Sequence, residues 1–295
     1  MDRKPLTVDS VLEVRSGAAT VPHAVVRMRG RHAAALEDHL TVEEPLEIRL
    51  AGRSLSVTMR TPGHDEELVA GFLFAERLIE GVDDLDVIAP YRGPSEDPGL
   101  ANVINVILKR ACPAVRGRLG RSVVTSSACG LCGRATVEGL LADVPPITSD
   151  LTVPVDLFYG LEPALTAAQR TFEKTGGLHG AGLFDAEGRL LSLREDVGRH
   201  NAVDKIVGHS LLSRTLPLDR RILMVSGRAG FEIVQKALMA GIPIVASVSA
   251  PSSLAVQLAQ ACDMTLVGFL RQGGLNIYSG AHRVTTGADG EPAWR

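Results

Sequence analysis

Cys129 and Cys132 lie two residues apart in Ser126-Ser127-Ala128-Cys129-Gly130-Leu131-Cys132-Gly133-Arg134, directly after the β-branched run Val123-Val124-Thr125. A strand that ends in a Gly-rich turn holds both thiols at a surface. A pair so placed can bind a metal, close a disulfide or carry sulfur. Arg134, and a helix starting near Thr136, favour the thiolate, the reactive form of cysteine.

Zinc takes four protein ligands in a structural site and three plus water in a catalytic one. The pair supplies two. Cys112 sits before Pro113, Cys262 ends an apolar helix and reads as core, and there is no second CxxC. His64-Asp65-Glu66 matches the H-x-E of zinc deaminases, but Ala128 stands where their P-C-x-x-C has proline. Thioredoxin-like chemistry places the pair early in a βαβ unit, and here it follows a β-rich half. Both observations weigh against their readings without closing them.

The elements that position these residues fall into two halves. Before Cys129, strands are expected around Val25, over 46–50 and 55–59 with a turn at Ala51-Gly52-Arg53, and over 102–109. A helix with Asp65, Glu66 and Glu67 in its first turn presents Leu68, Phe72, Ala75 and Ile79 on one face. Pro145-Pro146 marks the expected boundary between a domain at 1–145 and one at 146–295. The second half begins with one long helix, about 156–174, and a hairpin around Asp185-Ala186-Glu187-Gly188. Apolar strands near 222–225, 242–248 and 266–270 then alternate with helices, which predicts a buried parallel sheet. The fold class is therefore α/β (α+β), β-rich first and α/β second.

Parallel strands joined by right-handed crossovers put their carboxyl ends on one edge, where open α/β sheets bind ligands. Three loops leave that edge: Ser226-Gly227-Arg228-Ala229-Gly230, Ser249-Ala250-Pro251-Ser252-Ser253 and Arg271-Gln272-Gly273-Gly274. The first two open helices, whose N-termini favour anions, and Arg228 and Arg271 add forks suited to phosphate. A phosphate-bearing, nucleotide-like ligand is expected there. Asp196, His200 and Asp204 lie at helical spacing, and either steer a ligand or pair among themselves. Arg110, Arg116, Arg118 and Arg121 form a basic run, read either as a solvated connector or as a docking surface.

The net charge of −3 gives no overall field for nucleic acid. No run approaches the roughly 18 apolar residues of a membrane helix, and the charged start has no apolar segment after it. Four cysteines in 295 residues make no disulfide framework. A cytoplasmic protein with reduced thiols is expected.

Five motifs together carry a resemblance: Thr61-Pro-Gly-His-Asp-Glu-Glu67, Cys129-Gly-Leu-Cys132-Gly, Arg194-Glu-Asp-Val-Gly-Arg-His-Asn201, Ser226-Gly-Arg228 and Phe269-Leu-Arg-Gln-Gly-Gly274. From Glu43 to Tyr278 the chain resembles the formate dehydrogenase accessory sulfurtransferase family, FdhD. The resemblance implies a sulfur carrier that accepts sulfur from a cysteine desulfurase. It passes that sulfur to the molybdenum cofactor, Mo-bis(molybdopterin guanine dinucleotide), of formate dehydrogenase. It implies a persulfide on Cys129, assistance from Cys132, and cofactor contact at Phe269, Leu270, Arg271, Gln272, Gly273 and Gly274. It also implies a homodimer and a cytidine deaminase-like second domain that has lost its metal ligands. Two rivals stand beside it: a dithiol oxidoreductase, and a nucleotide-binding chaperone module in which the cysteines only tether or sense redox state.

Overall fold

The computed structural model describes residues 17–91, 102–109, 144–271, 273–286 and 291–292. Cys129, Cys132, Cys112, Gln272 and the Arg110–Arg121 run lie outside them.

β1 (Thr20–Arg29) and β2 (His32–Thr41) form a two-stranded antiparallel ribbon. β3 (Glu44–Leu50) and β4 (Arg53–Arg60) make the expected hairpin, with Leu50 opposite Arg53. Leu46, Ile48 and Leu50 alternate inward, as a half-buried strand requires. α1 (Asp65–Ala75) follows, then β5 (Leu85–Pro90) and β6 (Val103–Leu108), giving a four-stranded sheet in the order β4-β3-β6-β5. α1 is buried nearly all round, so the single apolar face read from Leu68, Phe72 and Ala75 understates it, and Ile79 lies beyond its end.

β7 (Val153–Pro154) leads into α2 (Val155–Ala168) and α3 (Arg170–Thr175). The one long helix expected here is two. The chain breaks at Gln169 (φ −77°, ψ 73°), and the Glu195 carboxylate caps the second piece, accepting from Thr171 N at 3.1 Å and Phe172 N at 2.7 Å. Gln is a good helix former, so the local sequence carried no sign of the break.

β8 (His179–Phe184) and β9 (Leu190–Asp196) form the hairpin. α4 (Arg199–Leu212), β10 (Ile222–Val225), α5 (Phe231–Met239), β11 (Ile244–Ser247), α6 (Ser253–Ala261), β12 (Thr265–Arg271) and β13 (Gly274–Ser279) follow. β14 (Val284–Thr286) pairs with β7 and with β15 (Glu291–Pro292). The six-stranded sheet runs β13-β12-β11-β10-β8-β9. β10, β11 and β12 are parallel as expected, and antiparallel β8 and β13 flank them, so the sheet is mixed.

Its two faces fill two cores. Ile222, Met224, Ile244 and Ala246 pack with Phe158, Leu161 and Leu165 of α2. Leu223, Val225 and Val245 face α4, α5 and α6, and that same core continues through α1 to Leu46, Ile48 and Val106 of the first sheet. Residues on both sides of Pro145-Pro146 therefore share one core. Each fully buried Leu or Ile in it contributes roughly 1.5–3 kcal/mol.

Candidate functional site

The carboxyl ends of β10, β11 and β12 carry the three loops as one rim. Ser252 N–H donates to Ala229 O at 3.1 Å, and Phe269 N–H donates to Ser249 O at 3.2 Å, so each loop is tied to the next. Gly230 and Ser252 are the N-caps of α5 and α6, and the Ser252 hydroxyl accepts from Ala255 N at 3.3 Å.

The residues expected on this rim divide by exposure. Arg228, Phe269 and Arg271 are exposed, Phe269 with φ +53°. Leu270 is fully buried among core side chains and offers the rim only its backbone. Ser226 continues the β8 pairing: its N–H donates to Gly180 O and its hydroxyl accepts from Gly180 N, both at 2.9 Å. Arg271 pairs with Gly274 across the β12–β13 turn, in which Gly273 has φ +81°. Gly227 is closely approached: a Cβ there would sit 3.2 Å from His179 Nδ1 and 3.9 Å from Arg199 Cδ.

His179 and Arg199 thus join the rim, and the motif analysis had assigned neither to it. His179 reads in sequence as an ordinary strand start; only its backbone neighbours across the sheet reveal its place. Burial, with the Arg199 charge beside it, lowers the His179 pKa against the opposing pull of Asp196. The ring is neutral at pH 7.

The polar patch after the hairpin resolves into separate roles. Asp196 ends β9 instead of sharing the α4 helix with His200 and Asp204. It is fully buried, with Oδ1 accepting from Gly198 N (2.8 Å) and Asn201 Nδ2 (2.9 Å), and Oδ2 meeting Lys205 Nζ at 2.7 Å. Lys205 also donates to Thr61 O at 2.9 Å, and Asn201 to Met59 O at 2.7 Å. These bonds tie the Arg194–Asn201 stretch to the Thr61–Glu67 stretch. Arg194 completes the joint with a two-pronged contact to Glu67, at 2.5 and 2.7 Å.

Asp204 pairs with Lys236 at 2.6 Å in the interior. Burial pushes the Asp204 carboxyl up to about 6 against the pull of Lys236. His200 is different. Burial, with Arg199, Lys236 and His179 nearby, holds its pKa down to about 3, and its Nδ1 lies 3.0 Å from Glu232 Oε2. Asp196 serves the structure, whereas His200 and Asp204 both line a cavity.

The FdhD/NarQ family model matches residues 41–285. The chain belongs to the FdhD/NarQ family. Within FdhD/NarQ, a sulfur carrier protein FdhD of Streptomyces avermitilis is 48% identical over 278 residues, covering 91% of this chain and 96% of that one. A Thermoplasma acidophilum protein of the same name is 47% identical over 264 residues, covering 86% and 90%. The crystal structure of a candidate formate dehydrogenase accessory protein from Desulfotalea psychrophila superposes with a TM-score of 0.71 at 26% identity, covering 90% of this chain and all of that one. The FdhD/NarQ match includes Cys129, Cys132 and the whole rim. Most of the β1–β2 ribbon precedes it. Among the described residues, no helix is long and apolar enough to cross a membrane.

Proposed function

We propose that the chain is a cytoplasmic sulfur carrier for formate dehydrogenase, working as a homodimer. The observation that carries this reading is the Cys129-Gly-Leu-Cys132 pair within a 41–285 match shared with relatives named sulfur carriers. Cys129 thiolate attacks the outer sulfur of a cysteine desulfurase persulfide. A new S–S bond forms on Cys129, the desulfurase S–S bond breaks, and the released desulfurase thiolate takes up a proton. Cys132 assists. The substrate that receives the sulfur is the molybdenum cofactor with its guanine nucleotides. Its anionic groups suit the rim, which carries the exposed Arg228 and Arg271 in the Ser226–Arg228 and Phe269–Gly274 loops together with the N-termini of α5 and α6.

The test is peptide mass spectrometry after incubation with a cysteine desulfurase and cysteine. One added sulfur on the Cys129 peptide, removed by reductant and absent in Cys129→Ala, is the expected result. Arg271→Ala should keep that sulfur and bind GDP about tenfold more weakly, the loss of one charged hydrogen bond. No added sulfur, with a Cys129–Cys132 disulfide forming instead, would turn the reading to a dithiol oxidoreductase.

A further inference from the structure

The β1–β2 ribbon takes no part in the sulfur chemistry. Its strands are 10 residues each and paired along their whole length, which at 3.3 Å per residue makes an arm of about 33 Å. Neither strand adds a residue to either core. Thr41, at the base of the arm, holds it to α3 through Thr175, Oγ1 to Oγ1 at 2.9 Å. An isolated two-stranded hairpin is marginally stable in water and needs further strands or a packed face. Among the described residues this sheet has its own two strands alone.

The two faces of the ribbon differ. Cross-strand partners share a face, and successive residues alternate between faces. One face carries Val21, Val25 and Leu36, all half-buried. The other pairs Ala24 with Glu37, Val26 with Ala35 and Met28 with Ala33, and every one of these is exposed, Val26 at 68% and Met28 at 59%. A continuous apolar patch of this kind marks an interaction site. Charge is segregated along it. Arg31 stands at the tip and Glu37 nearer the base, both exposed and neither with a partner among the described residues.

We propose that this face packs on the same face of a second copy, the two ribbons antiparallel about a two-fold axis at the Val26–Ala35 pair. A two-fold contact is self-complementary: residue i meets j, and j meets i. Met28 and Ala33 of one copy then lie over Ala24 and Glu37 of the other. The apolar patch covers itself, and Glu37 comes within reach of Arg31 at the tip of the other copy, twice per dimer. A parallel arrangement would set Arg31 against Arg31. Two stacked ribbons make a four-stranded sandwich with one dry layer, which supplies the packing that two strands lack. The inference rests on the homodimer part of the reading above and names its surface.

The test is sedimentation velocity on the full chain over a dilution series. Val26→Glu combined with Met28→Glu should weaken dimerisation at least about a hundredfold, since each apolar side chain is lost twice across a two-fold contact. Tm should stay unchanged, because both residues are exposed and outside the cores. Glu37→Arg alone and Arg31→Glu alone should each weaken the dimer about tenfold, and the two in one chain should restore it. Within one copy these positions lie about 20 Å apart along the strand, so rescue reports contact between copies, which unfolding of the ribbon would not imitate. A dimer that survives Val26→Glu with Met28→Glu, or charge reversals without rescue, would overturn the inference and leave the homodimer standing. A monomer at every concentration would overturn both. A double variant that stays dimeric but takes up no sulfur from the desulfurase would give the ribbon to the desulfurase and overturn the inference. The sulfur-carrier reading fails on a different observable, the absence of sulfur on Cys129 in the unmodified protein.

Discussion

Glu67 shows how one side chain joins stretches that the sequence keeps far apart. Its carboxylate takes both prongs of Arg194 and lies 3.1 Å from His209 Nδ1 and 3.3 Å from His64 Nδ1. Burial pushes the Glu67 pKa up, but Arg194, with the two histidines, outweighs it and holds the group below its ordinary value of 4.5. A depressed carboxylate stabilises the fold above its unfolded pKa, and that stabilisation is lost as pH falls through the folded one. Glu67→Gln should therefore cost about 2 kcal/mol at pH 7, the range of a hydrogen bond to a charged group. The gap to the unmodified protein should close in acid. Urea titrations at pH 7 and along a series descending from pH 4.5 decide the matter, and a gap that stays constant would show that Glu67 acts through packing. Both motifs were legible as dense clusters of ionisable residues, but their joint was not. Nothing local to Glu67 announces Arg194, which lies 127 residues further along the chain.

At the scale of elements, the seam between α1 and α4 is set by two glycines. A Cβ on Gly71 would lie 1.9 Å from Asp204 O, and one on Gly208 would lie 1.7 Å from Glu67 O. The helices meet backbone to backbone, so neither clash can be relieved by swinging a side chain. Gly71→Ala should destabilise by about 3 kcal/mol, at the upper end of ordinary overpacking, which for a chain of this size lowers Tm by roughly 6–12 °C. Gly160→Ala is the control. Gly160 lies exposed inside α2 with no atom near its would-be Cβ, so helix propensity should raise stability by about 0.5–1 kcal/mol. Thermal unfolding of both variants checks the pair, and similar shifts in the two would refute a close seam. The alternation of β10 through β12 with α5 and α6 was legible because strands buried on both faces read as unbroken apolar runs. β2 was not. Its Ala33-Ala34-Ala35-Leu36-Glu37 has weak strand propensity, and the ribbon is largely exposed, so no burial pattern marks it.

For the whole molecule, the first sheet and the central sheet share a core through that seam. Leu46, Ile48 and Val106 belong to the same buried cluster as Leu223, Val225 and Val245, with α1 and α4 between them. Opening the first sheet alone would expose the inner faces of α1 and α4, and with them the buried Asp196–Lys205 and Asp204–Lys236 pairs. Exposing the apolar faces that this shared core keeps dry costs roughly 25 cal/mol per Å², so partial opening has no stable stopping point. Hydrogen exchange should then report one cooperative unit: the amides of β6 and of β11 should exchange with the same free energy and the same dependence on denaturant. If β6 instead exchanged at a markedly lower free energy than β11, the two sheets would be separate folding units. The cavity between them, lined from both sides, would then open without global unfolding.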